Sequence, residues 1–228
     1  HVAASVWGGK KFIRQWRATA NGLEATALTH NSTVLLLDEL AQVSPVEVGE
    51  VTYMLGNGQG KTRGTRNGGI ASSATWRFLF ISTGEVSLAN HMGSVGKKAM
   101  AGQETRLLDL PADAGKGYGV FDTIGGYESS QKLADHLKSQ AMTYYGTAGV
   151  ELLKHLATEE ERVALTDQVK QYQVEFVERY RGMITEGQVL RSLTRFGFVA
   201  AVGRVCSELG ILSWPVDEAF QSCAICFH

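Results

Sequence analysis

The chain has 228 residues, 44% hydrophobic and 20% charged, with only 3 prolines, so it carries enough apolar surface to offset chain entropy. That composition excludes a disordered, collagen-like or coiled-coil protein, and a formal net charge of -1 leaves nucleic-acid or membrane binding to a local patch. Three cysteines make no disulfide framework and fit a reducing compartment. No apolar run approaches the ~18 residues of a membrane span, and the opening His1-Val2-Ala3-Ala4-Ser5 has no basic or cleavage signal. The expectation is a soluble, cytoplasmic chain with no membrane partner. The absence of an initiator methionine, and an opening that reads as mid-helix, predict a piece of a longer protein.

In chain order, Asn21 with Glu24 three residues on predicts a capped helix that turns Leu23, Ala27 and Leu28 toward a core. Thr33-Val34-Leu35-Leu36-Leu37 is apolar on both faces, as a central strand of a helix-covered parallel sheet requires. Ser44, Pro45 and Glu47 supply N-cap, first-turn proline and N3 glutamate for a helix over 45–55. A glycine-rich basic loop follows over 56–69, then a second buried strand over 75–81, a helical stretch over 87–101 and a short strand over 105–109. Strands alternating with helices at this spacing indicate a three-layer α/β sheet.

From Tyr127 the pattern is helical only. A helix over 130–145 stops at Gly146, and Thr158-Glu159-Glu160-Glu161 is a capping box. Leu165, Val169, Tyr172, Phe176 and Tyr180 then recur at helical spacing as one buried stripe. A further helix over 188–209 ends at Gly210, and Pro215 opens the last one.

Val34-Leu35-Leu36-Leu37-Asp38-Glu39 places two carboxylates at the C-terminal lip of a buried strand, where open α/β sheets bind ligands. In P-loop ATPases this is the Walker B arrangement: the aspartate holds Mg²⁺ through its water shell and the glutamate polarises the attacking water. The plain alternative is a strand leaving the core into a polar turn. The second strand ends in Ile81-Ser82-Thr83-Gly84-Glu85, so Ser82 or Thr83 is a candidate polar sensor, against the alternative of an ordinary turn.

Four segments together resemble the DUF927 family, helicase-like AAA+ ATPases of phages and mobile elements and their inactivated derivatives. They are Trp16 to Glu24, the run ending at Leu40, Leu55 to Lys61, and Arg106 to Asp113. The resemblance continues through Arg195-Phe196-Gly197-Phe198, Glu208-Leu209-Gly210 and Trp214-Pro215. It implies a Walker A loop directly ahead of the helix of which residues 1–8 are the remainder, ATP and Mg²⁺ as cofactors, and a homo-oligomeric ring. Gly56 to Thr62 is not that loop: the motif needs glycine where Leu55 stands, and the run follows a helix instead of joining strand to helix.

No acid lies between Glu50 and Glu85, where Lys61, Arg63, Arg66 and Arg77 occur. In ring ATPases, insertions here reach toward the central channel, so Lys61, Arg63 and Arg66 are candidate contacts to DNA, single-stranded in the simplest case; the alternative is a solvated loop. The resemblance also suggests Arg106 as an arginine finger toward a neighbouring subunit's ATP, against a strand-edge salt bridge. Arg191 and Arg195 share a helix face; one is a candidate sensor arginine of a lid, or both are surface residues. Cys223-Ala224-Ile225-Cys226 lacks a second ligand pair for zinc, and none of the 6 histidines has a serine or cysteine partner in a recognisable hydrolase motif.

The expected architecture is a truncated three-layer P-loop NTPase core of AAA+ or RecA-like type with a parallel sheet, residues 1–126, followed by an all-helical lid region, 127–228. The expected function of the parent protein is ATP hydrolysis coupled to DNA unwinding or remodelling. Asp38 serves Mg²⁺, Glu39 is the base, Ser82 or Thr83 the sensor, and Arg106 acts in trans; the chain by itself is expected to be inactive without a phosphate loop. The alternative is an inactivated ATPase-fold module that binds nucleic acid or acts as a scaffold.

Overall fold

The computed structural model describes residues 1–64, 67, 69 and 72–228. They form two compact units, His1–Thr143 and Tyr144–His228.

The first unit begins with α1 (Val2–Ser5), a 3-10 turn (Lys10–Phe12), β1 (Arg14–Gln15), α2 (Ala20–Thr29) and β2 (Val34–Asp38). A second 3-10 turn (Leu40–Gln42), α3 (Val48–Asn57) and β3 (Leu79–Ser82) follow, then α4 (Leu88–Gly93), α5 (Ala101–Glu104) and α6 (Ser130–Thr143). The strands are parallel in the order β1-β2-β3, with Leu37 opposite Arg14 on one side and Ser82 on the other. Parallel pairing requires crossovers, which α2 and α3 supply. Leu35, Leu36 and Leu37 are buried on both faces of β2, and Leu35 and Leu37 share a core with Trp16, Leu23, Val48, Leu55 and Leu88. Each such side chain contributes about 1.5–3 kcal/mol by leaving water.

Several local expectations change. Thr19, not Asn21, caps α2: its hydroxyl accepts from the Gly22 N–H at 3.2 Å, and Glu24 turns inward instead of back to the helix start. Residues 45–47 form a turn, so α3 begins at Val48, three residues after the expected proline. The second strand is shorter than 75–81 and is not buried throughout, because Leu79 and Ile81 are 46% and 47% exposed while Phe80 between them packs on the core. Trp76 is buried ahead of the strand, its indole N–H donating to the Leu55 carbonyl at 3.0 Å. The stretch 87–101 is not one helix: α4 ends at Gly93, and Gly96 at φ 73 turns the chain before α5. Residues 105–109 follow α5 as a turn, a bend and irregular chain, not as a strand. Helix α6 lies against α1, within the first unit.

His30 fastens β1 to β2. It is 3% exposed, its Nε2 accepts from Arg14 Nε at 3.1 Å, and its Nδ1 therefore carries the proton donated to the Val34 carbonyl at 3.0 Å. Burial pushes its pKa below the ordinary value, which keeps the ring neutral.

The second unit holds α7 (Thr147–Lys154), α8 (Glu159–Tyr180), α9 (Gly187–Glu208) and α10 (Glu218–Phe227). Thr158 caps α8 by accepting from the Glu161 N–H at 3.2 Å. Phe176, Leu193, Ala200 and Phe220 form the core between α8, α9 and α10. Gly203 lets α9 approach α10, since a Cβ there would stand 2.6 Å from that of Ala219. Arg204 ties the unit's polar side, pairing with Glu175 and Glu208 and lying 4.3 Å over the Tyr172 ring. The Cys223 thiol is pushed up to about 11, chiefly by burial, as for an unreactive structural thiol. Among the described residues no helix is long and apolar enough to cross a membrane.

The contrast between β2 and β3 is measurable. Leu35→Ala should cost about 2–5 kcal/mol in urea unfolding, as for a fully buried leucine, and Leu79→Ala about 1 kcal/mol or less. Equal costs would mean that the outer face of β3 is covered.

Candidate functional site at the strand lip

The buried run of β2 ends at Asp38, which is half-buried, and Glu39 beyond it is exposed with φ 60. A left-handed backbone at a residue other than glycine is costly and recurs at functional sites. Here it turns the chain out of the strand into the 3-10 turn at Leu40. The segment after β3 meets it there. Thr83 N–H donates to the Leu37 carbonyl at 3.0 Å, and Leu40 N–H donates to the Thr83 carbonyl at 3.0 Å. Gly84 permits this approach, since a Cβ would lie 3.0 Å from that of Leu40 and 3.1 Å from its nitrogen.

In that frame the Thr83 hydroxyl donates to the Asp38 carboxylate. Ser82 does something else: its hydroxyl accepts from the indole N–H of the fully buried Trp16 at 2.9 Å. The Trp16 backbone N–H donates to the Asp38 carbonyl at 3.1 Å, so one tryptophan fixes the ends of both β2 and β3. Of the two sensor candidates, Thr83 touches Asp38 and Ser82 anchors the strand end. Trp16 and Gly84 carried no local signal, because their partners lie far away in sequence.

A carboxylate, an adjacent hydroxyl and an exposed second carboxylate fit a hydrated Mg²⁺, which keeps several waters and takes few protein ligands. Among the described residues no three His, Cys, Asp or Glu side chains form a closed metal cage. Asp38 can therefore offer only part of a coordination shell.

The glycine-rich run 56–62 leaves the C-terminus of α3, with Gly58 at φ 72 as its cap. The chain returns beside it: Gly60 N–H donates to the Ala74 carbonyl at 2.8 Å, and Trp76 N–H to the Gly58 carbonyl at 2.9 Å. Two cations expected to be free on this loop are engaged. Lys61 pairs with Glu50 at 3.0 Å. Arg63 grips Glu24 through both guanidinium nitrogens, at 2.8 and 2.7 Å, and reaches Asn21 at 3.0 Å. Glu24 is only 4% exposed, and a Cβ at Gly60 would collide with its carboxylate, so glycine there lets the loop close over it. Arg63 holds the Glu24 carboxyl below its ordinary value of 4.5, outweighing the opposing effect of burial. Arg66 lies outside the described residues.

Arg106 stands just past α5 instead of on a strand. Its Nε donates to Asn57 at 2.8 Å, its Nη1 to the Gly102 carbonyl at 2.6 Å, and its guanidinium lies 4.1 Å over the Tyr53 ring. Arg191 and Arg195 belong to the second unit, one turn apart on α9, the first exposed and the second half-buried.

The buried carboxylate makes Arg63 and Lys61 differ. Arg63→Ala leaves Glu24 closed in without its cation and should lower the melting temperature clearly, whereas Lys61→Ala, which breaks an exposed pair, should leave it nearly unchanged. Because the folded-state pKa of Glu24 is depressed, its stabilisation is present above about pH 4.5 and is lost as pH falls through the folded value. Differential scanning fluorimetry across pH 3 to 7 checks both points; equal melting temperatures for the two variants at neutral pH would contradict the clamp.

The model of DUF927, a domain of unknown function, matches residues 1–75. A search of curated proteins found no match. Among solved structures, SCCmec type IV Cch, an active helicase, superposes with a TM-score of 0.62 at 16% identity, over 96% of this chain and 37% of that one. The chain thus spans little more than a third of that helicase's length. At this identity the likeness concerns fold: the mixed α/β arrangement with a parallel three-stranded sheet is similar to that of a helicase.

Proposed function

We propose that the chain is part of a helicase-like ATPase of a mobile element, coupling ATP hydrolysis to unwinding or remodelling of DNA. The observation that carries this reading is the hydrogen bond from Thr83 to Asp38 at the C-terminal lip of adjacent parallel strands, beside an exposed Glu39. In this reading the site is a P-loop AAA+ site whose phosphate loop is contributed from outside these residues. Asp38 holds the water shell of Mg²⁺, which when bound offsets charge on the nucleotide phosphates. Glu39 accepts the proton of the attacking water. Thr83 orients Asp38 and senses its occupancy, while Ser82, held by Trp16, fixes the strand end from which Thr83 projects.

Arg106 serves a neighbouring subunit's ATP in a homo-oligomeric ring, exchanging its contacts to Tyr53 and Asn57 for phosphate oxygens. Arg191 or Arg195 serves as the lid's sensor arginine. The basic loop with Lys61, Arg63 and Arg66 contributes to DNA binding. A second reading, an inactivated module that binds nucleic acid or scaffolds an assembly, is favoured by one observation: Lys61, Arg63 and Arg106 are all engaged within the chain.

Turnover separates the two. In the full-length protein Glu39→Gln should lower ATP hydrolysis by about 10²–10⁴-fold while nucleotide binding persists, since the amide keeps the size but cannot accept a proton. Hydrolysis unaffected by the substitution would remove Glu39 from the reaction, and a wild-type protein that binds DNA without any turnover would favour the scaffold.

A further inference from the structure

At the end of the sheet opposite the carboxylate lip, a cleft of about 720 Å³ opens between the C-terminus of α3, the turn before β2 and the segment before β3. Asn31, Ser32, Asn57, Thr75 and Arg77 give it a polar lining, and no carboxylate lines it. That volume falls within the range of small-ligand sites and exceeds the need of one nucleotide. Trp76 and Phe78 stack nearly parallel, ring planes 11° apart, as its apolar wall.

Arg77 differs from the other cations of this region. Lys61, Arg63 and Arg106 are engaged, whereas the exposed Arg77 guanidinium has no ion pair or hydrogen bond among the described residues. Its backbone, by contrast, is fixed: Arg77 N–H donates to Asn31 Oδ1 at 2.9 Å, and the Ser32 N–H donates to the Arg77 carbonyl at 2.9 Å. Ser32 holds a left-handed φ of 65 in this wall, a strained conformation that those two bonds over-determine. The Leu55 carbonyl at the end of α3 is taken by the Trp76 indole, so it does not present a free acceptor to an anion. The wall therefore offers a free cation on a rigid backbone, hydroxyl and amide donors, and no competing acid.

We infer that this cleft binds a phosphodiester of single-stranded nucleic acid, with Arg77 as the phosphate contact at the base of the loop. This rests on the DNA-binding part of the proposed function and moves the principal contact from the loop cations to the cleft. A guanidinium suits a phosphate because its planar fork can donate two bonds. Donors without a base-reading pattern imply binding that is indifferent to sequence.

The test uses the full-length protein and a fluorescently labelled oligothymidylate, followed by anisotropy over a salt series. Arg77→Gln should weaken binding several-fold and reduce the slope of log affinity against log salt by about 1. Arg77→Lys should restore the slope. Asn57→Asp keeps the acceptor for Arg106 but places a carboxylate in the cleft, and should weaken binding as well. It covers the case in which Arg77→Gln fails to fold. Lys61→Ala, which breaks only an exposed ion pair, should weaken binding less than Arg77→Gln. If wild type binds with a salt slope that neither Arg77→Gln nor Asn57→Asp changes, the cleft is not the site although the DNA reading stands. If wild type binds no oligonucleotide, both fall. Equal binding of polyglutamate would show a site for polyanions in general and overturn the assignment to nucleic acid.

Discussion

Burial of Leu35, Leu36 and Leu37 on both faces of β2 is the constraint from which the rest of the first unit follows. A strand covered on both sides can hold no charge along its length, so its polar residues are confined to its ends. Parallel pairing then sets which neighbours those ends meet: Leu37 stands opposite Ser82, so the next residues, Asp38 and Thr83, emerge side by side. Their hydrogen bond is a consequence of register, which also sets the face on which Leu35 and Leu37 join the core. Trp16 reinforces that register from β1 by holding both strand ends at once.

Charge is handled differently at the two ends of the sheet. At the C-terminal lip the acids are accessible and the contacting group is a hydroxyl, an arrangement open to a cation. At the opposite end a cleft lined by no acid carries Arg77, which has no ion pair among the described residues. Between them the clamp of Arg63 on the nearly buried Glu24 closes the start of the basic loop against α2, with Gly60 as the residue that allows the approach. Within the proposed function, this places hydrolysis and strand contact at opposite ends of one rigid sheet, joined by α3.

The parts of this arrangement legible in the sequence are those written in short-range patterns. The apolar run of β2 with its terminal acids and the Thr158 cap of α8 appear at their expected places, while of the expected stripe on α8 only Phe176 is buried, with Tyr172 and Tyr180 packed partly buried beside it. What local patterns do not encode are pairings across distance. Glu24 reads as a capping residue for Asn21, yet it faces Arg63, 39 positions on, because the loop folds over α2. Arg106 reads as the start of a strand, but it lies in the turn just past a short helix and packs on Tyr53. The run that reads as a fully buried strand places Leu79 and Ile81 on an open face, since apolar content alone does not say which face a neighbour covers. The two-residue β1 has too few residues to show any period.

The pairing of Asp38 with Thr83 is tested most directly by a double-mutant cycle on ATP hydrolysis by the full-length protein, using Asp38→Asn, Thr83→Val and the combination. If the two side chains act as one unit, the double variant should be scarcely slower than the worse single one, a coupling of about 0.5–3 kcal/mol. Losses that simply multiply would show that the two residues act independently and that their hydrogen bond has no part in turnover.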